Sequence, residues 1–405
     1  VIILHASDLH YCPRHLAEVD RCFGAAVDEA VRRGCDLAVL CGDTFDQAVE
    51  LHHPCVAAVL RQVRRLADAM PVLILQGTLS HDTPGALEVF RVLGGRHPVQ
   101  VADAIGQVAW VPGAGWVASE GFAFQAPPPG AAALLSCLPA VNKGALVASG
   151  RDAAEVGDAV AAVLAGWAPV HLAARATGVP ALVVAHGTVS GSVSEQGVPM
   201  AGLDHDLTTG ALWAAEACAA LLGHIHKHQA WARDGRLIAY PGSVGRLHFG
   251  ELDPKGVLFW EVHADGASAQ LWQTPAKRLL QAEFDGPPDP VALACLAAEC
   301  AGAHVRVRWQ IDEEHRASID PTAIRALFAG AAELKLEGRV LPVSRQRAAG
   351  IGAALTVADK LARWCAATGT EPAPLAARLA ALESAAPEEI LRQITAGPPA
   401  LPQAA

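Results

Sequence analysis

The chain has ten cysteines but no C-x-x-C pair among them. That absence excludes a zinc knuckle and a spaced disulfide framework, and it suits reduced, buried thiols. No apolar run in the sequence approaches the ~20 residues of a membrane span. The first residues, "VIILHASDLH", carry neither a basic region nor a small-residue cleavage site, so a cytoplasmic location is the default expectation. Excess positive charge is missing too, since 31 Lys and Arg stand against 41 Asp and Glu, a net charge of −10. Bulk electrostatic grip on nucleic acid is thereby excluded, because phosphate neutralisation needs clustered cations. One local stretch still offers them: Lys335, Arg339, Arg345, Arg347, Lys360 and Arg363 stand against two acidic residues. A solvated helical face is the simpler reading of that stretch. There is no internal repeat.

What the chain does have is apolar material, 52% of 405 residues, enough for a large core and a length typical of roughly two to three domains. Short β-branched or Leu-rich runs alternate with Ala-rich helical stretches through about residue 270, which predicts an α/β domain. "VIILHAS", "LAVLCGD", "PVLILQG", "ALVVAHG", "ALLGHIH", "RLIAYPGS" and "GVLFWEV" read as strands. "HLAEVDRCFGAAVDEAVRRG" and "HPCVAAVLRQVRRLADAM" read as covering helices, with Gly34 and Pro71 as stops. The Pro-rich, then small-residue-rich "FAFQAPPPGAAALLSCLP" reads as a long surface connection. A Pro-Gly cluster near residues 272 to 290 marks a boundary. The expected organisation is an α/β domain over 1–272, a small α+β module over 273–345 and a helical region over 346–405. In the module, "HVRVRWQID" reads as a half-wet strand and "PTAIRALFAGAAELK" as a helix. The last region contains "LTVADKLARWCAATG" and "LAARLAALESAAPEEILRQITAG" as helices and ends in a disordered-looking "PPALPQAA".

Three histidines within five residues, in "ALLGHIHKHQA", pose the functional question. His224 and His226 cannot fill a coordination sphere alone, so co-ligands must come from other strand ends. Five apolar runs end in suitable groups. "ASDLH" puts Asp8 and His10 on one face of an extended segment. "LCGDTFD" presents Asp43 after Gly42, with Asp46 three residues on, and Asp43 is the natural bridging carboxylate. "LQGTLSHD" offers Ser80, His81 and Asp82; "VVAHGTVSG" offers His186. Each element alone is weak, but α/β folds gather such ends along one sheet edge, and the ordered set is hard to obtain by chance. Mixed imidazole and carboxylate ligands suit Mn, Fe or Zn better than Ca or Mg. Asp82 or Asp46 could orient the imidazoles, and His228, His5, His52, His53 and His248 read as structural or exposed. The glycines of "PGSVGRLHFGE", with Gly242, Ser243 and Gly245, read either as a loop that approaches substrate phosphate or as an ordinary tight turn.

The ordered set D-x-H, GD-x-x-D, a His-Asp turn, a lone His and G-H-x-H resembles the calcineurin-like metallophosphoesterases. More narrowly, "AHGTVSGS" and "YPGSVGRLHFGE" resemble the SbcD-type DNA repair exonucleases over the first 270 or so residues. The resemblance implies a four-layer αββα sandwich with a small capping domain and a helical C-terminal tail. It implies two divalent ions, manganese first and iron or zinc as alternatives. Asp8, His10, Asp43 and His226 match the ligands of the first metal; Asp43, His186 and His224 match those of the second. His81 matches the general acid, with Asp82 beside it. The family's Gly-Asn-His-Asp becomes Gly77-Thr78-Leu79-Ser80-His81-Asp82 here, with two added residues and Ser80 in the asparagine's place. The partners implied are DNA, an SbcC- or Rad50-type ATPase subunit and a second copy of the chain as a homodimer, with no membrane. A phosphatase or cyclic-nucleotide phosphodiesterase of the same superfamily, or a metal-bound scaffold without catalysis, are the competing readings.

Overall fold

The computed structural model describes residues 1–141, 153–200, 207–342 and 350–395. The chain is mixed α/β. Strands are numbered in chain order. Six form one sheet in the order β13 (Gly266–Gln273), β12 (Gly256–His263), β1 (Ile2–Ala6), β2 (Leu37–Cys41), β3 (Val72–Leu75), β4 (Val99–Ala102). Seven form a second, in the order β10 (Gln229–Arg233), β11 (Arg236–Tyr240), β9 (Ala219–Gly223), β8 (Ala181–His186), β7 (Ala133–Leu138), β5 (Gly106–Val111), β6 (Gly115–Ala118). Strands β1 to β4 run parallel, as do β7, β8, β9 and β11.

The period of two along each strand sorts the core. Ile3, Val39, Leu73, Leu75 and Trp260 of the first sheet share one apolar cluster with Leu135, Leu182, Val184 and Leu221 of the second. The alternate residues Leu4, Ala38, Leu40 and Ile74 face Val19, Phe23 and Val27 of the helix Leu16–Arg33 and Val59, Val63 and Leu66 of the helix Pro54–Ala67. On the second sheet, Val183, Ala185, Ala220 and Leu222 share a cluster with Val160, Leu164 and Trp167 of the helix Ala153–Ala176. Because both faces of β1, β2 and β8 are covered, these strands read as continuous apolar runs. Gly34 ends the first helix in the left-handed conformation, at φ 65°.

Three expectations change. The stretch expected as a surface connection contains β7, buried throughout in the interior of the second sheet. Its small and apolar residues do not alternate, so neither helical nor strand period marks it. The segment Glu155–Ala176 is long and apolar enough to cross a membrane by length and composition, contrary to the reading that no run approaches that size. Its buried stripe, Val156, Val160, Leu164, Trp167, Val170 and Ala174, follows helical spacing and packs on the second sheet. Lys335 and Arg339 sit on a strand, β16 (Glu333–Leu341), not on a helical face, while Arg345, Arg347 and "PPALPQAA" lie outside the described residues.

The chain divides into two compact units: Val1–Ala282 with Pro290–Val307 and Thr322–Leu336, and Glu283–Asp289 with Arg308–Pro321 and Glu337–Ala405. A three-stranded sheet has the order β14 (Leu279–Asp285), β15 (His304–Asp312), β16. In the second unit, Arg308 pairs with Glu337 at 2.9 Å, and Gly338 carries no Cβ where the Trp309 indole lies. Its helix Val357–Thr368 is capped by Thr356, which accepts from Asp359 N at 3.0 Å. The long Ala- and Leu-rich stretch expected as one helix forms two, Pro372–Ser384 and Pro387–Thr395. Pro387, which cannot donate to a continuing helix, opens the second.

His5 on β1 is fully buried, accepts from Trp260 Nε1 at 3.2 Å, and has its pKa lowered by burial from 6.5 to about 3. The unfolded chain therefore binds a proton that the folded chain refuses between those pH values. Stability is expected to be intact above pH 6.5 and to fall toward pH 3, with this one group contributing about 1.4 kcal/mol per pH unit. Urea titrations of wild type and His5→Leu check this: the variant should lose that part of the slope, and an unchanged slope would contradict it.

Candidate metal centre

Parallel pairing aligns β1, β2 and β3 so that Ala6 lies beside Leu40 and Cys41 beside Leu75. In the second sheet His186 lies beside Gly223. The residues that follow these positions therefore emerge together at the carboxyl ends of the strands. Two glycines permit the approach. Gly42, at φ 84°, has no Cβ where the His186 ring and the Gly77 backbone lie, and Gly223 has none where the Cys41 carbonyl lies.

Among the described residues, six non-glycine positions have positive φ, and four of them are Asp8 (52°), His10 (50°), Asp43 (51°) and His224 (106°). Each such position costs roughly 1–3 kcal/mol and persists only where its surroundings over-determine it. Here Asp8 N donates to Gly42 O at 3.1 Å and His10 N to Asp43 O at 2.9 Å. The His224 N–H donates to the Asp8 carboxylate at 3.0 and 3.1 Å, and Ser7 Oγ donates to the same carboxylate at 2.6 Å.

The backbone so held brings Asp8, His10 and His226 into one group of donor atoms and Asp43, His186 and His224 into another, the atoms of each within 4.8 Å of one another. His10 Nε2 and His226 Nε2 face each other at 3.0 Å. Asp43, 2% exposed, reaches both groups: Oδ1 is 3.3 Å from His186 Nε2 and Oδ2 is 3.9 Å from His10 Nε2. Burial alone would raise the Asp43 carboxyl, but His186, His10 and His81 outweigh it and hold it below the usual carboxylate range. Burial likewise disfavours a charged His186, yet Asp43 and Asp8 reverse this and lift it to about 10. The field at this point attracts positive charge. Converging carboxylate oxygens and imidazole nitrogens fit divalent transition-metal ions.

The imidazoles are steered from behind. His186 Nδ1 bonds Cys41 O at 2.7 Å, and His226 Nδ1 bonds Glu251 Oε1 at 2.9 Å, so in both rings Nε2 is left for the centre. Asp46 Oδ1 lies 3.2 Å from His10 Nδ1, and the Asp46 carbonyl accepts from His81 Nδ1 at 2.6 Å. His10, Asp46 and His81 thus form a third group of converging donors, with the His10 and His81 rings edge to face at 4.8 Å. His228 Nδ1 bonds Tyr240 O at 2.7 Å.

Several expected site residues have other tasks. Ser80 is exposed, and the side-chain hydroxyl at the second group belongs to Thr78, whose Oγ1 is 3.3 Å from His186 Nε2 and 3.4 Å from Asp43 Oδ2. Thr78 directly follows Gly77 and its N–H donates to Asp43 Oδ1 at 2.7 Å, so the strand end itself pins it. The two added residues are absorbed afterwards, in a turn where Thr78 O accepts from His81 N and Asp82 N at 2.9 and 2.8 Å. Asp82 is fully buried and touches no imidazole. Its carboxylate accepts from the N–H groups of Thr44, Phe45 and Gly77 at 3.0 to 3.3 Å and organises the loop after β2. Burial and the neighbouring Asp43 raise its pKa to about 6. Gly242, Ser243 and Gly245 are buried, not offered to a substrate: Ser243 Oγ bonds Gly245 O at 3.1 Å and accepts from Lys255 Nζ at 2.9 Å. Sequence reasoning missed Thr78, Glu251 and Lys255. The glycine before Thr78 was a signal; for Glu251, inside "YPGSVGRLHFGE", no spacing rule ties it to His226.

No family model matches the chain, and no curated protein matches it either. One solved structure similar to it is GAP50, the anchor in the inner membrane complex of Plasmodium, with a TM-score of 0.37 and 10% identity over 68% of this chain and 89% of that one. A likeness at that score carries no argument.

Thr78→Val keeps the side-chain shape and removes the hydroxyl, and it is expected to weaken manganese binding at the second group roughly 10-fold. Ser80→Ala should leave it within about twofold of wild type. Calorimetric titration of both variants decides between the two residues, and the reverse ranking would restore Ser80.

Proposed function

We propose that the chain is a metal-dependent phosphodiesterase of the calcineurin-like metallophosphoesterase type, and within it a DNA nuclease of the SbcD type, acting as an exonuclease in DNA repair. The observation that carries this reading is the pair of donor groups joined through Asp43, assembled from four separate strand ends. Two sheets sharing one apolar layer, with helices on their outer faces, support the four-layer αββα arrangement of that superfamily. Asp8, His10 and His226 would hold one ion. Asp43, His186 and His224, with the Thr78 hydroxyl, would hold the other, Asp43 reaching both. Manganese suits this donor set, with iron or zinc as alternatives. Such ions supply Lewis acidity toward a phosphodiester and an acidified water.

The chain's own groups do the rest. His81 is half-buried, and its Nδ1–H is committed to the Asp46 carbonyl, so the imidazolium form of the ring is the acid: its Nε2–H would pass to the leaving oxygen and leave the ring neutral with Nδ1–H in place. Asp46 holds His81 and His10 at once. Lys360 and Arg363, on the helix Val357–Thr368, supply cations for a DNA backbone on an otherwise acidic chain. The helices Val357–Thr368 and Pro372–Ser384 line an apolar groove with Ala358, Leu361, Ala376 and Leu379, while Leu355 (97%), Trp364 (40%) and Leu382 (43%) are exposed. That surface supports docking on an ATPase subunit of the SbcC type.

Chelation is expected to abolish hydrolysis, with manganese restoring it better than magnesium. His81→Ala should lower the rate roughly 10²-fold or more at unchanged metal content. Both are read by assaying duplex DNA, single-stranded DNA and a small phosphodiester side by side. Cleavage confined to the small substrate would replace the nuclease reading with a phosphatase-type one, and loss of metal from the His81 variant would make that residue a ligand. Deleting residues 346–405 should leave cleavage of short single strands nearly intact while abolishing co-purification with the ATPase. An insoluble or inactive truncation would assign the helices to the core.

A further inference from the structure

Behind the first donor group lies a buried ion pair that the reaction chemistry does not use. The side chains of Glu251 and Lys255 are both fully buried, with Lys255 Nζ 3.5 Å from Glu251 Oε1. Burying two opposite charges is costly unless each finds further partners, and here several of those partners lead to the metal centre. Glu251 Oε1 accepts from His226 Nδ1 at 2.9 Å, and its other oxygen accepts from Leu247 N at 2.6 Å, which fixes the carboxylate plane. Lys255 Nζ donates to the His226 carbonyl at 2.9 Å and to Ser243 Oγ at 2.9 Å. Ser243 pairs with Ser7 as an isolated bridge, and Ser7 Oγ holds the Asp8 carboxylate at 2.6 Å. One pair therefore touches the ring of His226, the backbone of His226 and, through two serines, Asp8.

We propose that Glu251 and Lys255 are a positioning pair for the first ion: Glu251 fixes the His226 ring with Nδ1–H inward and Nε2 toward His10, and Lys255 fixes the strand-end loop that carries it. This rests on the metal-centre reading. A carboxylate behind a ligating imidazole typically sets affinity by roughly 10- to 100-fold. The ammonium lies 3.5 Å from that carboxylate and donates to two loop acceptors, the His226 carbonyl and Ser243 Oγ.

The experiment uses the full chain and manganese as the probe. Calorimetry on wild type, with His226→Ala and His186→Ala assigning the two binding events, is followed by Glu251→Ala and the near-isosteric Glu251→Gln. Glu251→Ala should weaken the His226-dependent event roughly 10- to 100-fold and leave the His186-dependent event within about twofold. Glu251→Gln, which retains an acceptor oxygen, should recover part of the loss. In protein labelled at histidine nitrogen, the exchange-protected His226 Nδ1–H resonance should be present in wild type and in Glu251→Gln and absent in Glu251→Ala. A fall of both events together, or no change in either, overturns the positioning role. Absence of any manganese binding by wild type sinks the metal-centre reading itself, a different result from binding that ignores Glu251.

Discussion

A buried carboxylate with imidazoles on both sides is the constraint around which the rest of the site is arranged. Asp43 is almost wholly removed from water, and His186 and His10 within 4 Å of its two oxygens, with the Thr78 N–H on Oδ1, favour its charged form. Such a group cannot drift, since any retreat of the imidazoles would leave an unpaired charge in a low-dielectric interior. It also cannot be delivered by ordinary backbone. Asp43 itself and its neighbours in the two donor groups, Asp8, His10 and His224, hold positive φ, and strain of this kind is stored where a packed scaffold can pay for it. The scaffold is the apolar layer between the sheets and the helices outside them. It holds the carboxyl ends of β1, β2, β3, β8 and β9 in fixed register.

The surrounding shell follows the same logic. An imidazole can present either nitrogen, and at this centre the choice is made for His186 and His81 by a backbone carbonyl at Nδ1 and for His226 by a carboxylate. Asp46 contributes both its side chain and its carbonyl, which couples a ligand to the proposed acid through one residue. Thr78 binds Asp43 through its N–H and reaches His186 through its hydroxyl. A hydroxyl is a shorter, weaker donor than an amide carbonyl, so the second group is the more dependent of the two on its charged ligands.

Much of this was legible in the sequence because it is local. A run of continuous apolar residues that gives way to polar groups, often beside a glycine, announces a strand end in an α/β sheet, and six ligand candidates, Asp8, His10, Asp43, His186, His224 and His226, stand at or just after such ends. The two covering helices of the first sheet were equally plain from their period and their stops, whereas the helix Ala153–Ala176 over the second sheet was not read. At "GTLSHD" the sequence reading chose Ser80, and Thr78 could not be preferred in one dimension, because either hydroxyl can follow the glycine into the site without changing any local pattern. Only the hydrogen bond from Thr78 N to Asp43, made across two neighbouring strands, selects Thr78.

By itself the sequence determined the α/β class, the identity of most strand ends and the chemical character of the donor set, since these depend on period and residue type within a few positions. Tertiary structure alone decided that β7 lies in the interior of its sheet, that Thr78 and not Ser80 stands at the second group, and that Asp82 organises a loop. It alone placed Glu251 and Lys255 behind His226. Each of those outcomes is set by contacts between segments distant in the chain, and a buried polar group takes whatever partner the packing brings to it.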